Sequence, residues 1–554
     1  MPDLSESPST TPKPAGDGDL LGSRALRRRL CVALLYVVLL VTGVLWGTVR
    51  NHADPDLWHR LATGKLVWEE GAVPMYDRFS YRGKGGLVED HEWLTGVIFY
   101  PLYLAAGLDI FVWVKLAIFT GILLLMLPPR RYVGRGTGSA AGRETVEQDV
   151  PVSSSQGVER RDVTFASGLF ALVLAFALLP DLVSTIRCHA FSMLFWAAWL
   201  VWLERGRRSG RLPWVGVLVT SPLWINVHGG YAAGFGLLCV YAAGEWLNGR
   251  AWVPYAALAS ASALLTLVNP YFTGMWTSTV HALFVPHPDF ISWHPPVMTD
   301  LSDPGFKMML ALVVLSAGPQ LLRLRWRRGG PRAEGGARGD WVPVLVTSVA
   351  AVMALRQSRN GGLFALCAAI YAWPWMCEVW RATARMRRSA RTRIPLRLWW
   401  MTRTTAAGSL AVVVGLVILG AVHEGQFRLS VRDVQYAPRA VAFLEQQLAQ
   451  APGETAGPAR LVVPFNWGSY ALWRLYPRAL VSMDGRYELV YTIDTYLENE
   501  RFFRAKGDWR KLLGGDPAPT HVLAGAKDPV TPLLKAEPGW RVAYEDEWAV
   551  VFTR

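Results

Sequence analysis

Long apolar runs, broken by short arginine-dense stretches, constrain this chain more than any other feature. The first run, 30–49, follows Arg24, Arg27, Arg28 and Arg29. At about 1.5 Å per residue it is long enough to cross a bilayer. It is too long, and lacks the small-residue cleavage site, for a removable signal peptide. Residues 1–29 therefore read as a disordered, basic, cytoplasmic N-terminus ahead of an uncleaved anchor. Further apolar runs fall at 110–127, 164–180, 190–203, 212–227, 230–247, 252–268, 306–322, 341–355, 361–379 and 405–422. The segments 204–211, 323–338 and 381–403 between them are dense in arginine. By parity these sit on the side of the N-terminus, as the positive-inside rule requires.

The expected fold is an all-α polytopic membrane domain over 30–422, with about 11 transmembrane helices. A C-terminal extracytoplasmic α/β domain over 423–554 follows. There, helical patterns at 436–449, 494–505 and 529–535 alternate with short apolar runs at 460–464, 479–483, 520–524, 540–544 and 548–552. The expected location is a bacterial cytoplasmic (inner) membrane, with the N-terminus inside and the C-terminus outside. Composition agrees, with 52% hydrophobic residues and 26 Trp, a residue that favours the headgroup region. The net charge of +14 does not point to nucleic acid, because the arginines follow the loop rule. The five cysteines lie in or beside apolar runs, at spacings of neither a disulfide framework nor a zinc site. Gly134, Gly136 and Gly138 do not join a strand to a helix and are no nucleotide fingerprint.

All ten histidines, His52, His59, His91, His189, His228, His281, His287, His294, His423 and His521, fall at or beyond the external face on this topology. The first external loop, 50–109, is the richest part. Residues 57–69 read as a helix with Asp56 as N-cap and Gly71 as stop. Asp56, His59 and Thr63 share one face of it. Residues 73–77 read as a turn, and 93–106, interrupted by Pro101, as a helix lying at the membrane surface. Asp54-Pro55-Asp56 is either a turn and a cap or part of a site, and the two roles are compatible. Glu89-Asp90-His91-Glu92-Trp93 is either a capped helix with an interfacial Trp or a second cluster of the same site. Carboxylates and imidazoles around one pocket suit a proton-abstracting base or a divalent ion, Mg or Mn. Their spacing matches no specific metal motif, so the only cofactor to consider is such an ion. Arg187, His189, Asn226, His228, Arg356, Arg359 and Asn360 mark further external turns. Arginine suits a phosphate through its permanent charge and forked donors, but an interfacial Arg also suits lipid headgroups.

With these residues in view, the chain resembles the GT-C superfamily of membrane glycosyltransferases. The resemblance covers the overall plan and includes Asp54-Pro55-Asp56-Leu57-Trp58-His59 and His91-Glu92-Trp93-Leu94, which look like a bacterial branch of such proteins. It implies a first-loop acidic residue essential for transfer, which by position is Asp54 or Asp56. Phe465-Asn466-Trp467-Gly468-Ser469-Tyr470 is similar to the Trp-Trp-Asp-Tyr-Gly motif of oligosaccharyltransferases. It departs from the acidic–aromatic order, so acceptor-peptide recognition does not carry over. Asp484-Gly485-Arg486 reads as an ordinary turn. The resemblance implies a lipid-linked sugar donor, membrane lipids around the protein, and a glycan, lipid or protein acceptor. In that scheme Asp54 or Asp56 activates an acceptor hydroxyl, and His59, His91 and Glu92 support it or hold a metal. Arg187, Arg356 and Arg359 stabilise the departing phosphate, with His228 and Asn360 beside the substrate. Two rival readings are a transporter or flippase for lipid-linked glycans and a non-catalytic envelope assembly protein. Polar residues deep within the spans on both faces would mark a transporter, and the spans are mostly apolar.

Overall fold

The computed structural model describes residues 51–126, 186–284, 310, 313–314, 316–321, 340–371, 428–450 and 457–554. The expected anchor 30–49, the runs 164–180 and 405–422, the arginine-rich segments 323–338 and 381–403, and His287, His294 and His423 lie outside them. Part of 306–322 does too.

The first two helices are α1 (Pro55–Glu70) and α2 (Trp93–Ala106). α1 starts earlier than its periodicity suggests, and its cap is Asp54 rather than Asp56. The Asp54 carboxylate accepts the Asp56 backbone N–H at 3.0 Å, and Pro55 takes the first helical position, where no N–H is needed. Gly71 ends the helix in the left-handed conformation, φ 69°. Pro101 lies inside α2 without ending it. Proline cannot bond the carbonyl four residues back, that of Val97. The Trp68 indole of α1 donates to that carbonyl instead, at 3.0 Å.

The two helices cross at Gly64 and Gly96. A Cβ on Gly64 would stand 2.1 Å from the Gly96 carbonyl oxygen, and one on Gly96 would stand 2.4 Å from that of Arg60. Only two glycines allow this approach.

A bundle follows: α3 (Ile110–Met126), α4 (His189–Ser209), α5 (Trp214–Val227), α6 (Tyr231–Leu247), α7 (Val253–Leu265), α8 (Gly274–Phe284), α9 (Trp341–Arg356) and a helical stretch 361–371. Its core holds Trp196, Trp199, Trp224, Tyr241 and Phe364. α4 does not stop at 203 as its apolar run suggests. It continues through the arginines to Ser209, because Arg207 is held in a buried ion-pair cluster with Glu204, Glu245 and Asp340. Among the described residues, no helix is long and apolar enough to cross a membrane.

The C-terminal part forms α10 (Asp433–Tyr436), α11 (Pro438–Gln450), α12 (Phe465–Leu475), α13 (Tyr487–Val490), α14 (Ile493–Phe503), α15 (Val530–Lys535) and five strands. These are β1 (Ala459–Val462), β2 (Ala479–Val481), β3 (His521–Gly525), β4 (Arg541–Glu545) and β5 (Ala549–Thr553), in spatial order β2-β1-β3-β5-β4. β1 runs parallel to β2 and β3, while β5 runs antiparallel to β3 and β4. The helix expected over 436–449 begins instead at Pro438, because Ala437 turns the chain at φ 45°.

The early segment and this sheet share one core, in which Trp58 packs edge-on against Tyr436 and Tyr470. The early chain also extends the sheet. Val481 N–H donates to the Phe79 carbonyl at 3.0 Å, and Tyr81 N–H to that of Val481 at 3.2 Å. Replacing Gly64 or Gly96 by Ala should destabilise the protein by about 2–4 kcal/mol, because backbone and not a movable side chain meets the new methyl. Gly236, whose Cβ would meet nothing within 4 Å, is the control position. Thermal melts of the three variants check this.

Candidate functional site

The crossing of α1 and α2 places Arg60 beside Glu92, the residue just before α2, and the two form a buried ion pair. Arg60 also lies one helical turn from Asp56, with its guanidinium 3.9 Å from that carboxylate. Asp54, 1% exposed, pairs with Arg187 just ahead of α4. Asp90 accepts the Glu92 backbone N–H at 2.9 Å and the hydroxyl of Thr63.

Glu92 also faces two imidazoles. Its Oε1 lies 3.7 Å from His91 Nε2 and 3.6 Å from His228 Nε2. His228 stands in the turn between α5 and α6. Its Nδ1 accepts the Gly230 N–H at 2.9 Å, so the ring proton sits on Nε2 and points toward Glu92. Ser192 lies 2.7 Å from that Nδ1 and accepts the Trp224 indole N–H. His189 stacks edge-on to His228, with centroids 5.8 Å apart. The charge of Arg359, in the turn after α9, acts on His91, His189 and His228.

The C-terminal unit closes one side. Arg486 donates to both oxygens of Asp484, at 2.8 and 2.7 Å, and to Asp77 at 2.7 Å. Its guanidinium lies over the Phe79 ring at 5.0 Å. This locks the turn 484–486 down onto the early segment. Gly485 N–H donates to Ser469 at 3.0 Å. A Cβ on Gly485 would lie 3.1 Å from Asp56 Oδ1 and 3.8 Å from His59 Nδ1. Gly468, in the Phe465–Tyr470 motif, makes the seat: its Cβ would stand 1.9 Å from the Met483 carbonyl.

Electrostatics separate the groups. Burial, then the neighbouring Asp54 charge, pushes Asp56 up to about 6. Burial also lowers His59 and His91, and Arg60 adds to it in both. Both imidazoles are thus neutral at pH 7. The buried Nδ1 of His59 has no hydrogen-bond partner among the described residues.

The structure thus brings together Asp54, Asp56, His59, His91, Glu92, Arg187 and His228, with Arg359 in electrostatic reach. Arg356 is exposed at the end of α9. Asn360 donates to Met353 and Gln357 and closes that helix. Asn226 ties Trp93 to Val268 and Pro222. Of the other described histidines, His52 bonds Ser430, His281 lies on α8 and His521 bonds Thr520. Reasoning from sequence missed Arg60, whose place one turn after Asp56 was the available signal. It also read Asp77 and 484–486 as plain turns, since nothing local says that residues 409 apart in sequence meet.

The donor set does not fit Mg or Mn as it stands. Those ions need several uncommitted oxygen ligands. Asp54 and Glu92 are paired with arginines, Asp90 is bonded to backbone, and Asp56 holds its proton up to about pH 6. His228 presents an N–H, and not a lone pair, to the cluster. Among the described residues, no three His, Cys, Asp or Glu side chains are placed to hold a metal ion.

No family model matches the chain, and no curated protein matches it. Among solved structures, the chain is similar to the Archaeoglobus fulgidus oligosaccharyltransferase in the apo form. The alignment has a TM-score of 0.55 at 11% identity, over 88% of this chain and 69% of that one. The same enzyme, AglB, in complex with an inhibitory peptide and a dolichol-phosphate aligns over the same shares at 11% identity with a TM-score of 0.54. ArnT from Cupriavidus metallidurans in the apo state aligns over 96% of this chain and 98% of that one, at 15% identity and a TM-score of 0.47. The fold is that of the archaeal oligosaccharyltransferase.

Replacing Arg60 by Ala should destabilise the protein by about 3–5 kcal/mol, because it strands a buried Glu92. Adding Glu92→Gln should recover a large part of that loss. A double-mutant cycle in denaturant melts measures it.

Proposed function

We propose that this protein is a membrane glycosyltransferase that moves a sugar from a polyprenyl-phosphate-linked donor to an acceptor on the extracytoplasmic face. One observation carries the reading: Asp56, with its raised pKa, shares a site with the cationic groups Arg187 and Arg359 and neutral His91 and His228. A base beside a cationic patch is what transfer from a phosphate leaving group requires. The shared fold supports it, since AglB was solved with a dolichol-phosphate.

The membrane setting is supported by the bundle's surface. Trp113, Leu124, Val215, Leu223, Leu264 and Val352 point outward and exposed. So much outward apolar surface suits lipid better than water. From His189 in the site to Arg207 in the ion-pair cluster, α4 rises about 27 Å, close to the thickness of a bilayer's hydrocarbon core. The arginine cluster then lies on the cytoplasmic side, the site and the 423–554 domain on the other, and about 11 spans cross between them.

In this reading Asp56 is the base and Asp54 its support, because Asp54 is committed to capping α1 and to Arg187. Asp56 takes the acceptor hydroxyl proton, the acceptor oxygen bonds the anomeric carbon, and the bond from that carbon to phosphate oxygen breaks. The leaving phosphate keeps the electron pair and is met by Arg187 and Arg359. His59 and His91, both neutral, and Glu92 line the path. His228 directs an N–H into the site.

Asp56→Asn should lower transfer about 10²–10⁴-fold, and the Asp54/Asp56 double Asn variant should abolish it. Surface-glycan profiles of a deletion strain complemented with each variant read this out, and a full profile from the double variant would sink the proposal. Wild-type kcat/KM should rise with pH through about 6, the Asp56 value. The folded pKa lies above the ordinary 3.8, so ionising Asp56 destabilises the fold. The penalty is absent at low pH and complete above about 6. Asp56→Asn should therefore melt no lower than wild type at pH 7.5, which separates lost chemistry from lost structure.

A further inference from the structure

Beside the site lies a cavity of about 230 Å³ lined by Lys84, Leu87, Glu89, Thr277, Ser278, His281, Glu488 and Leu489. Three parts of the chain build it: the early segment, α8 and α13. Glu89 is held against the start of α8, where a Cβ on Gly274 would stand 2.3 Å from its carboxylate. Lys84 is held by the Glu488 backbone carbonyl, which its ammonium meets at 2.7 Å. Thr277, Ser278 and His281 lie within one turn or so of α8 and face the same space.

Two chain segments run from this cavity into the site. Glu89 is followed by Asp90, His91 and Glu92. Glu488 follows two residues after Arg486, and its charge acts on both His91 and Arg359. The chemistry of the two places differs. The site holds Arg187 and Arg359 beside its carboxylates, Asp54 being paired with Arg187 and Glu92 with Arg60, whereas the cavity sets two carboxylates against one lysine. The arginines can meet a phosphate, and the cavity's carboxylates repel one. The cavity's hydroxyls, imidazole and carboxylates offer closely spaced donors and acceptors, and Leu87 and Leu489 add apolar surface. That mixture matches a ring with alternating hydroxyl groups and C–H faces.

We propose that this cavity is the acceptor subsite and that it takes an uncharged carbohydrate, whose hydroxyl it presents to Asp56. The inference rests on the glycosyl-transfer reading above and adds the class of acceptor to it.

The test uses the full chain in nanodiscs and saturation-transfer NMR. The probes are methyl glycosides of glucose, galactose, mannose and N-acetylglucosamine, with the peptide Gly-Ser-Gly alongside. Undecaprenyl phosphate is added separately in thermal melts to probe the donor side. At least one glycoside should respond. Thr277→Trp, an exposed helical position that fills the cavity, should weaken it about tenfold. Leu87→Trp, on the opposite wall, should do the same, and a wild-type melt certifies each fold. Absence of any glycoside response in the wild type overturns the proposal, as does a response untouched in both variants. A peptide response without a glycoside response overturns the carbohydrate class. Glycoside binding without any undecaprenyl phosphate shift upholds the cavity and removes the donor reading instead.

Discussion

The backbone contact between Gly64 and Gly96 is the constraint on which the site depends. It draws α1 and α2 so close that Arg60, one turn before Gly64, meets Glu92, one turn before Gly96. A buried ion pair is weak evidence of stability, because desolvation offsets its attraction. Its effect here is positional: Glu92 Oε1 is left facing His91 and His228 while Oε2 is neutralised. The same α1 carries His59 beside Arg60 and Asp56 one turn earlier, so a single helix crossing sets the spacing of carboxylates and imidazoles together.

The second constraint acts from far along the chain. Asp484, Gly485 and Arg486 close over Asp56 and His59 because Arg486 is bonded at once to its own turn and to Asp77. Burial raises Asp56 and lowers His59, and the Arg486 charge adds to the lowering of His59. The chain also adds 79–81 to the edge of β2, which makes the docking continuous with the sheet's own hydrogen bonding.

Local pattern made much of this legible. The five apolar runs after residue 459 became five strands, the helix before Gly71 formed, and the two clusters around Asp56 and Glu92 converge. What local pattern does not carry is pairing between distant residues. Asp54 looks like a free acid until Arg187 is placed on it. Pro101 looks like a helix breaker until the Trp68 indole takes the carbonyl it leaves open. Arg207 looks like a loop residue until three acidic side chains surround it. In each case a tertiary partner, absent from the local window, supplied the missing bond or charge. Arg356 and Asn360 show the converse: residue type alone marked them, and they cap or border a helix end.

Charge sorts the proposed substrates. Arg60 neutralises Glu92, and Arg187, paired with Asp54, and Arg359 are the cations that the proposal sets against the leaving phosphate. Glu488, one of the carboxylates that line the cavity, is felt by His91 and Arg359 alike. In this proposal the arginines draw the anionic donor, while hydrogen bonds in the cavity hold the uncharged acceptor. The acceptor oxygen and the leaving phosphate must lie on opposite sides of the reacting carbon in a single displacement. The proposed scheme meets that requirement if the arginines and the carboxylate-lined cavity flank Asp56 on opposite sides.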